Sequence, residues 1–282
     1  MEHFFAKQHC PYFQDGRGAL SEHIRFQGSA DRDSAGALIQ RGWRRYANDL
    51  YRMRCETCRL CISLRIDAAE LSISNSMRRL LRLNRDLIII PHEPRLSEDH
   101  LRLWREYSLW KHLSPAEDLD AEYFLGLSSP WSIILEYRTG DREGELLAIS
   151  HIDPLQDGFS SVYFSISPSA KSRSLGSFST LAEARIAQEY TRSNCASVKP
   201  VRGESIVDFY SHPRDPRGSD PSAVYYLGFW VPGAEKMDYK ARFQPFSLLL
   251  DDENRSLPPH WLTFDTRTKA LNHLRAVHWP GL

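Results

Sequence analysis

GWRRYANDLYRMRCETCRLCISLRI, residues 42–66, carries more positive charge and more sulfur than a packing segment needs. From Trp43 the chain reads as extended, reverses at Asn48-Asp49 and returns through Leu50 and Tyr51. At its far end Ile62, Leu64 and Ile66 alternate with Ser63, Arg65 and Asp67, the two-residue period of a half-buried strand. That alternation puts Arg65 on the open face, near the other cations. The stretch therefore reads as β structure built to display arginines.

Its cysteines, Cys55-x-x-Cys58-x-x-Cys61, are two C-x-x-C steps sharing a middle residue. With Cys10 of His9-Cys10-Pro11-Tyr12 as a fourth ligand they could surround a zinc ion or an iron-sulfur cluster. One overlapping set is a weaker signature than two separated pairs, and reduced thiols packed as small hydrophobes explain it equally well.

The net formal charge is zero, yet positions 41–85 hold eleven arginines, no lysine and four acids (Asp49, Glu56, Asp67, Glu70), a local excess of seven. Guanidinium forks suit phosphates and carboxylates, so the segment is a candidate polyanion receptor. A solvated charged face is the plainer alternative. With 41% hydrophobic residues and no apolar run near the roughly 18 needed to span a membrane, a soluble globular protein is expected. The 282 residues suffice for two domains of ordinary size. Met1-Glu2-His3 does not open like a secretory leader, and five cysteines, an odd number, suit a reducing cytoplasm.

Along the rest of the chain, residues 1–33 read as irregular, with a turn at Asp15-Gly16-Arg17-Gly18. A short helix over Ser34–Arg41 is stopped by Gly42. Ser74 caps a helix with Met77, Leu80 and Leu81 inward and Arg78, Arg79 and Arg82 outward. A strand over Asp86–Pro91 leads through a linker to the strong helix capped by Ser97. After a short helix near Asp120–Leu127 comes an antiparallel meander: Trp131–Arg138, Glu145–Ile152 and Phe159–Ser167. Ser174-Leu175-Gly176-Ser177-Phe178-Ser179 then opens a helix whose free N–H groups suit an anion or a developing oxyanion. Prolines and glycines make 194–222 read as a long surface loop. Strands at Ala223–Trp230 and Phe246–Leu250 and a helix at Thr266–Ala276 finish the chain.

In Cys10-Pro11-Tyr12, Gly42-Trp43-Arg44-Arg45 with Tyr51, the three-cysteine run with Leu64-Arg65, and Ser74-x-Ser76-x-Arg78-Arg79 with Asn84, the chain resembles the aminoacyl-tRNA-protein transferases. That family comprises the bacterial leucyltransferases acting on N-terminal Asp or Glu and their eukaryotic arginyltransferase relatives. Ser174–Ser179, Tyr226-Leu227-Gly228-Phe229-Trp230 and Lys236-Met237-Asp238-Tyr239-Lys240-x-x-Phe243-x-Pro245 extend the resemblance, in consistent order, over roughly residues 9–250.

The resemblance implies an α+β fold: an N-terminal Cys/Arg-rich α/β domain, residues 1–92, joined to a GNAT-like acyltransferase domain with a mostly antiparallel sheet, residues 97–282, with 194–222 as an insertion. It implies a charged tRNA, Leu-tRNA or Arg-tRNA, as donor and a protein beginning with Asp or Glu as acceptor, marked by the transfer for degradation. Exchange of ester for amide runs downhill, so no cofactor and no enzyme nucleophile are required. On this reading Arg44, Arg45 and Arg65 bind the acceptor's acidic side chain, with Tyr51 also substrate-binding; Arg78, Arg79 and Arg82 take tRNA phosphates; Tyr163, Ser174, Ser177 and Ser179 surround the reaction centre. Tyr226, Trp230, Tyr239 and Lys240 lie around the aminoacyl-adenosine end, Lys240 being counted with the catalytic group.

The chain departs from the family pattern at Ser167-Pro168, where Asp-Pro is common, at Ala234, where a cysteine is frequent, and at Phe246, where an acid is usual. Two other readings remain at this stage. One is a CoA-dependent acetyltransferase, although Arg173–Ser177 is too short for a pyrophosphate loop. The other is a non-catalytic tRNA-binding or metal-sensing module built on the thiol and arginine segment.

Overall fold

The computed structural model describes residues 1–28, 30–113, 119–193, 197–211, 222–251 and 259–282. In chain order the elements are β1 (Glu2–His9), β2 (Gly18–Arg25), α1 (Arg32–Ile39), β3 (Arg44–Tyr46), β4 (Asp49–Met53), β5 (Ile62–Asp67), α2 (Asn75–Leu83), β6 (Leu87–His92), α3 (Glu98–His112) and α4 (Ala121–Gly126). They continue as β7 (Ile133–Thr139), β8 (Leu146–Leu155), β9 (Gly158–Ile166), α5 (Leu175–Arg192), β10 (Val201–Arg202), α6 (Gly203–Ser211), β11 (Val224–Trp230), α7 (Glu235–Asp238), β12 (Phe246–Leu250), β13 (His260–Phe264) and α8 (Arg267–Ala276). The expected α+β class is observed.

Packing divides the chain into two compact units: Met1–Ser72 together with Tyr226–Leu282, and Ile73–Tyr225. In the first, one sheet has the order β1-β2-β4-β3, with every pairing antiparallel. Its register sets Glu22 opposite Arg52 and Arg44 opposite Tyr51. The remaining strands of this unit run β11-β5-β12-β13, with β12 antiparallel to both β5 and β13. The alternation in β5 is as expected: Ile62, Leu64 and Ile66 are buried, and Arg65 faces Ser247 across the ladder. Gly42 follows α1 at φ +87°, and a Cβ there would lie 2.6 Å from Leu249 Cδ2, so only glycine serves both turn and contact.

In the second unit the strand order is β10-β6-β7-β8-β9, again antiparallel. The expected meander β7-β8-β9 is present. Its second turn needs Gly158, because a Cβ would lie 1.9 Å from the Val224 carbonyl oxygen. Helix α5 buries Phe178, Leu181, Ala182 and Ile186 as its spacing requires. It also buries Glu183, whose carboxylate accepts from the Tyr137 hydroxyl at 2.6 Å and from the Tyr225 hydroxyl. Burial pushes the Glu183 carboxyl above its ordinary value.

Two expectations need correction, and one strand was not anticipated. Residues 1–33 are not irregular: β1 and β2 pair over eight residues each, from Glu2↔Arg25 to His9↔Gly18. Alternation in β1 is masked because most of its residues are exposed on both faces. Within 194–222, the described part forms β10 and α6 rather than a loop. Ile206 and Tyr210, four residues apart, bury one helix face, and the Tyr210 hydroxyl donates to the Leu181 carbonyl at 3.0 Å. Residues 194–196 and 212–221 lie outside the described residues. Finally, β13 was not expected, although His260-Trp261-Leu262-Thr263-Phe264 pairs along all of β12.

Candidate active site

Arg44 and Tyr51 face each other because β3 and β4 return on one another at that register. The Arg44 guanidinium lies over the backbone of β11: a Cβ on Gly228, which sits at φ +84°, would come within 2.9 Å of the guanidinium carbon. Tyr51 meets the Phe229 ring edge-on at 6.2 Å between centroids. Phe229 in turn offers its carbonyl oxygen to Lys240 Nζ at 3.0 Å. Lys240 is half-buried, and desolvation of its amine together with the neighbouring Arg44 charge brings its pKa from 10.5 down to about 7. Tyr12 belongs to the same neighbourhood. Burial, then the nearby Tyr51 phenol and Cys61 thiol, push its hydroxyl above the ordinary tyrosine value.

Arg65 projects from β5 between two aromatic rings. Its guanidinium carbon is 4.3 Å from the Trp261 centroid and 5.9 Å from that of Tyr226, and it donates to the Tyr226 hydroxyl at 3.4 Å. Trp261 is itself held by a hydrogen bond from its indole nitrogen to the Gln40 carbonyl at 3.0 Å. Arg45, one residue from Arg44 on β3, is buried and donates to the Ala47 carbonyl at 3.3 Å. Trp230 is fully buried, packed on Phe246 at 6.0 Å and donating to Asp238 Oδ1 at 3.0 Å. Arg267 grips the same carboxylate with two bonds, so the segment carrying Tyr239 and Lys240 is pinned from both sides. Tyr239 itself is half-buried at the start of the 3-10 turn that holds Lys240.

A second arginine group lines a half-open cavity of about 90 Å³: Arg41, Arg52, Arg54 and Arg59, with Cys58 and Cys61. Glu22 receives Arg52 and Arg54 at 2.7 Å each and His3 at 2.9 Å. Burial alone would raise its carboxyl, but these three hydrogen bonds hold it at about 2. Arg52 stacks on Trp43 and Arg59 on Trp279, and Arg59 is paired with Asp251.

Burial, reinforced by Cys55, Cys58 and Cys10, pushes the Cys61 thiol up, so the other three thiols of the sequence motif lie within electrostatic reach of Cys61. The Cys55 thiol donates to the Leu20 carbonyl at 3.9 Å. Among the described residues no group of three or more His, Cys, Asp or Glu side chains is arranged to hold a metal ion.

The remaining sequence-derived residues belong to the second unit. Arg78, Arg79 and Arg82 are exposed on α2, opposite buried Met77 and Leu81, and Ser74 accepts from the Met77 N–H at 3.3 Å. Ser174 takes a left-handed conformation, φ 50°, immediately before α5 and makes no side-chain cap bond. Ser177 is half-buried in the first turn, whereas Ser179 bonds back to the Gly176 carbonyl at 3.0 Å. Tyr163 packs edge-on to Tyr107 at 6.3 Å, and burial pushes its phenol up to about 12.

Arg173 and Asn84 are the positioning groups here, and the sequence reading had assigned neither a role. Arg173 bonds Asn84 Oδ1 at 3.0 Å, the Leu83 carbonyl at 3.2 Å and both oxygens of Asp86. Asn84, with no exposed surface, returns a bond to the Arg173 carbonyl at 3.0 Å. The basic helix α2 is thereby fastened to the turn that opens α5. Likewise the sequence marks Tyr12 only through the Cys10-Pro11-Tyr12 motif, and nothing local marks Trp261 as part of a strand.

Two family models match the chain: "Arginine-tRNA-protein transferase, N terminus" over residues 8–79, and "Arginine-tRNA-protein transferase, C terminus" over residues 99–250. A protein of Mesorhizobium japonicum named aspartate/glutamate leucyltransferase is 32% identical over 248 residues, 84% of this chain and 85% of that protein. One of the same name from Saccharophagus degradans is 28% identical over 262 residues, 90% of this chain and 93% of that protein. Among solved structures, the C-terminal domain of a putative lysylphosphatidylglycerol synthetase from Agrobacterium fabrum aligns with 77% of this chain and 63% of that one at 12% identity, with a TM-score of only 0.36.

Proposed function

We propose, since this chain belongs to the arginine-tRNA-protein transferase family and is an aminoacyltransferase, that it moves leucine from Leu-tRNA to the α-amino group of proteins beginning with Asp or Glu. The leucine donor and acidic acceptor are those in the names of relatives that match over most of their length; arginine is the second candidate donor. The observation that carries the acceptor side is the placement of Arg44 and Arg65 among Tyr51, Tyr226 and Trp261. Two guanidinium groups held on aromatic and backbone surfaces suit a carboxylate that must be distinguished from a neutral side chain. Arg45, turned into the core, supports the strand rather than the substrate in this reading.

The reaction needs little else. The acceptor's α-nitrogen attacks the ester carbonyl carbon of the aminoacyl-tRNA, the C–N bond forms, the C–O bond to the ribose breaks, and a proton passes from nitrogen to the released hydroxyl. Positioning both substrates accounts for much of the acceleration. In this reading the exposed Arg78, Arg79 and Arg82 meet tRNA phosphates. No cofactor takes part. The four thiols are proposed to stay reduced, or to close on zinc or an iron-sulfur cluster only after their sulfurs move together; metal analysis of protein purified without oxygen distinguishes the two.

A cytoplasmic location follows from the substrates, and no described helix is long and apolar enough to cross a membrane. Transfer marks the acceptor for degradation. Supplying labelled Leu-tRNA and Arg-tRNA in parallel, with an Asp-starting peptide, tests the donor: leucine incorporation is expected, and arginine incorporation alone would overturn the choice.

A further inference from the structure

Any aminolysis of an ester must dispose of a proton, because the nitrogen that attacks becomes positively charged as the tetrahedral intermediate forms. Three candidates could receive it. Glu183 is buried in the second unit and committed to two tyrosine hydroxyls. Tyr12 holds its own proton tightly. Lys240 is different. Its amine makes one hydrogen bond, to the Phe229 carbonyl at 3.0 Å, and among the described residues it has no carboxylate partner. The charged group that faces it is Arg44 from β3, which has the same sign. Asp238, two residues earlier, is taken by Trp230 and Arg267. A structural lysine would reach fully into water or pair with an acid; this one is half-buried, has no acid partner among the described residues and lies beside a like charge.

We propose that Lys240 is the general base of the transfer: its neutral amine takes the proton from the attacking α-nitrogen and passes it to the departing ribose oxygen. The inference rests on the aminoacyl-transfer reading above. One N–H stays on the Phe229 carbonyl, which orients the lone pair; the lone pair accepts the proton as the C–N bond forms. The resulting ammonium gives that proton up as the C–O bond breaks, and Lys240 ends as it began. A pKa of about 7 matches the task, since an ordinary lysine is protonated at neutral pH and cannot accept. Arg44 then has two duties, receiving the acceptor's carboxylate and holding Lys240 neutral.

The test compares wild type with Lys240→Met and Lys240→Arg in single-turnover transfer, using whichever charged tRNA the wild type accepts and an Asp-starting peptide, from about pH 5.5 to about pH 9. Both variants are expected to lose roughly 10²- to 10⁴-fold in rate. They should also lose the inflection near pH 7, keeping only that of the acceptor's α-amino group at about 7.7 to 8.0. A rate within about threefold of wild type for either variant, with the inflection intact, would refute the assignment. Lys240→Arg keeps the cation and removes the base, so a merely structural positive charge would leave its rate high.

Should either variant fail to fold, the wild type decides alone. Competitive acylation of its lysines across the same pH range, read peptide by peptide by mass spectrometry, should show Lys240 titrating near 7. Titration with the surface lysines, above about 10, would overturn the proposal. A wild type that transfers to no acceptor would instead count against the substrate reading, and the labelling result, which needs no turnover, would still judge Lys240.

Discussion

Replacing Glu22 by glutamine removes the charge that holds β2 to β4 beside the candidate acceptor site. The Glu22 carboxylate takes one bond each from Arg52 and Arg54 at 2.7 Å and one from His3 at 2.9 Å. Folding lowers its pKa from 4.5 to about 2. About 2.5 units at about 1.36 kcal/mol each is about 3.4 kcal/mol. The two arginines keep 27% and 24% of their side-chain surface in solvent, so screening brings the expected effect to about 2 kcal/mol. The sign follows from the direction of the shift. A lowered carboxyl contributes stability above about pH 4.5 and loses it as pH falls toward 2. Urea unfolding of wild type and Glu22→Gln at a series of pH values should therefore show a gap of about 2 kcal/mol at pH 7 that narrows below about pH 4.5. A gap that stays constant with pH would refute the reasoning, since loss of packing alone does not titrate.

Three other outcomes follow from the same geometry. Trp261→Leu, which removes the ring under Arg65 and keeps an apolar side chain, should raise KM for an acidic acceptor by about five- to tenfold, about 1 kcal/mol, with kcat little changed in steady-state transfer. Asn84→Ala leaves the Arg173 carbonyl and guanidinium short of partners and should cost about 2 kcal/mol, seen as a lower thermal midpoint. Changing Arg78, Arg79 and Arg82 together to glutamine should weaken tRNA binding and flatten its log–log salt slope by about 2 to 3, measured by filter binding at several salt concentrations.

What was legible in the sequence was what local periodicity encodes. Ile62, Leu64 and Ile66, the Ser74 cap and the face of α5 could be read because each rests on residues a few positions apart. β1 escaped because its pairing with β2 is long-range and leaves it mostly exposed, so no alternation marks it. α6 was hidden by the prolines and glycines around it, although Ile206 and Tyr210 already stood at helical spacing.

For the site, motif order singled out Arg44, Arg65, Tyr226 and Lys240, which the first unit gathers with Tyr12, Gly228 and Trp261. Composition could not separate Arg44 from Arg45. Adjacent arginines on one strand point to opposite faces, and only the fold shows which face is core. Nor could it show that, among the described residues, Lys240 lacks an acid, because its nearest acid in the chain, Asp238, is claimed by Arg267 from a helix that begins 29 residues after it. Phe246, where the resemblance leads one to expect an acid, instead packs its ring between Trp230 and Phe264.

The central claim is that arginines on β3 and β5 select an acidic first residue for aminoacyl transfer. Its most direct measurement supplies labelled Leu-tRNA and peptides that differ only at position one, Asp, Glu or Ala, and follows label into each. Label on the Asp and Glu peptides and not on the Ala peptide is the predicted result; equal labelling of all three would contradict it.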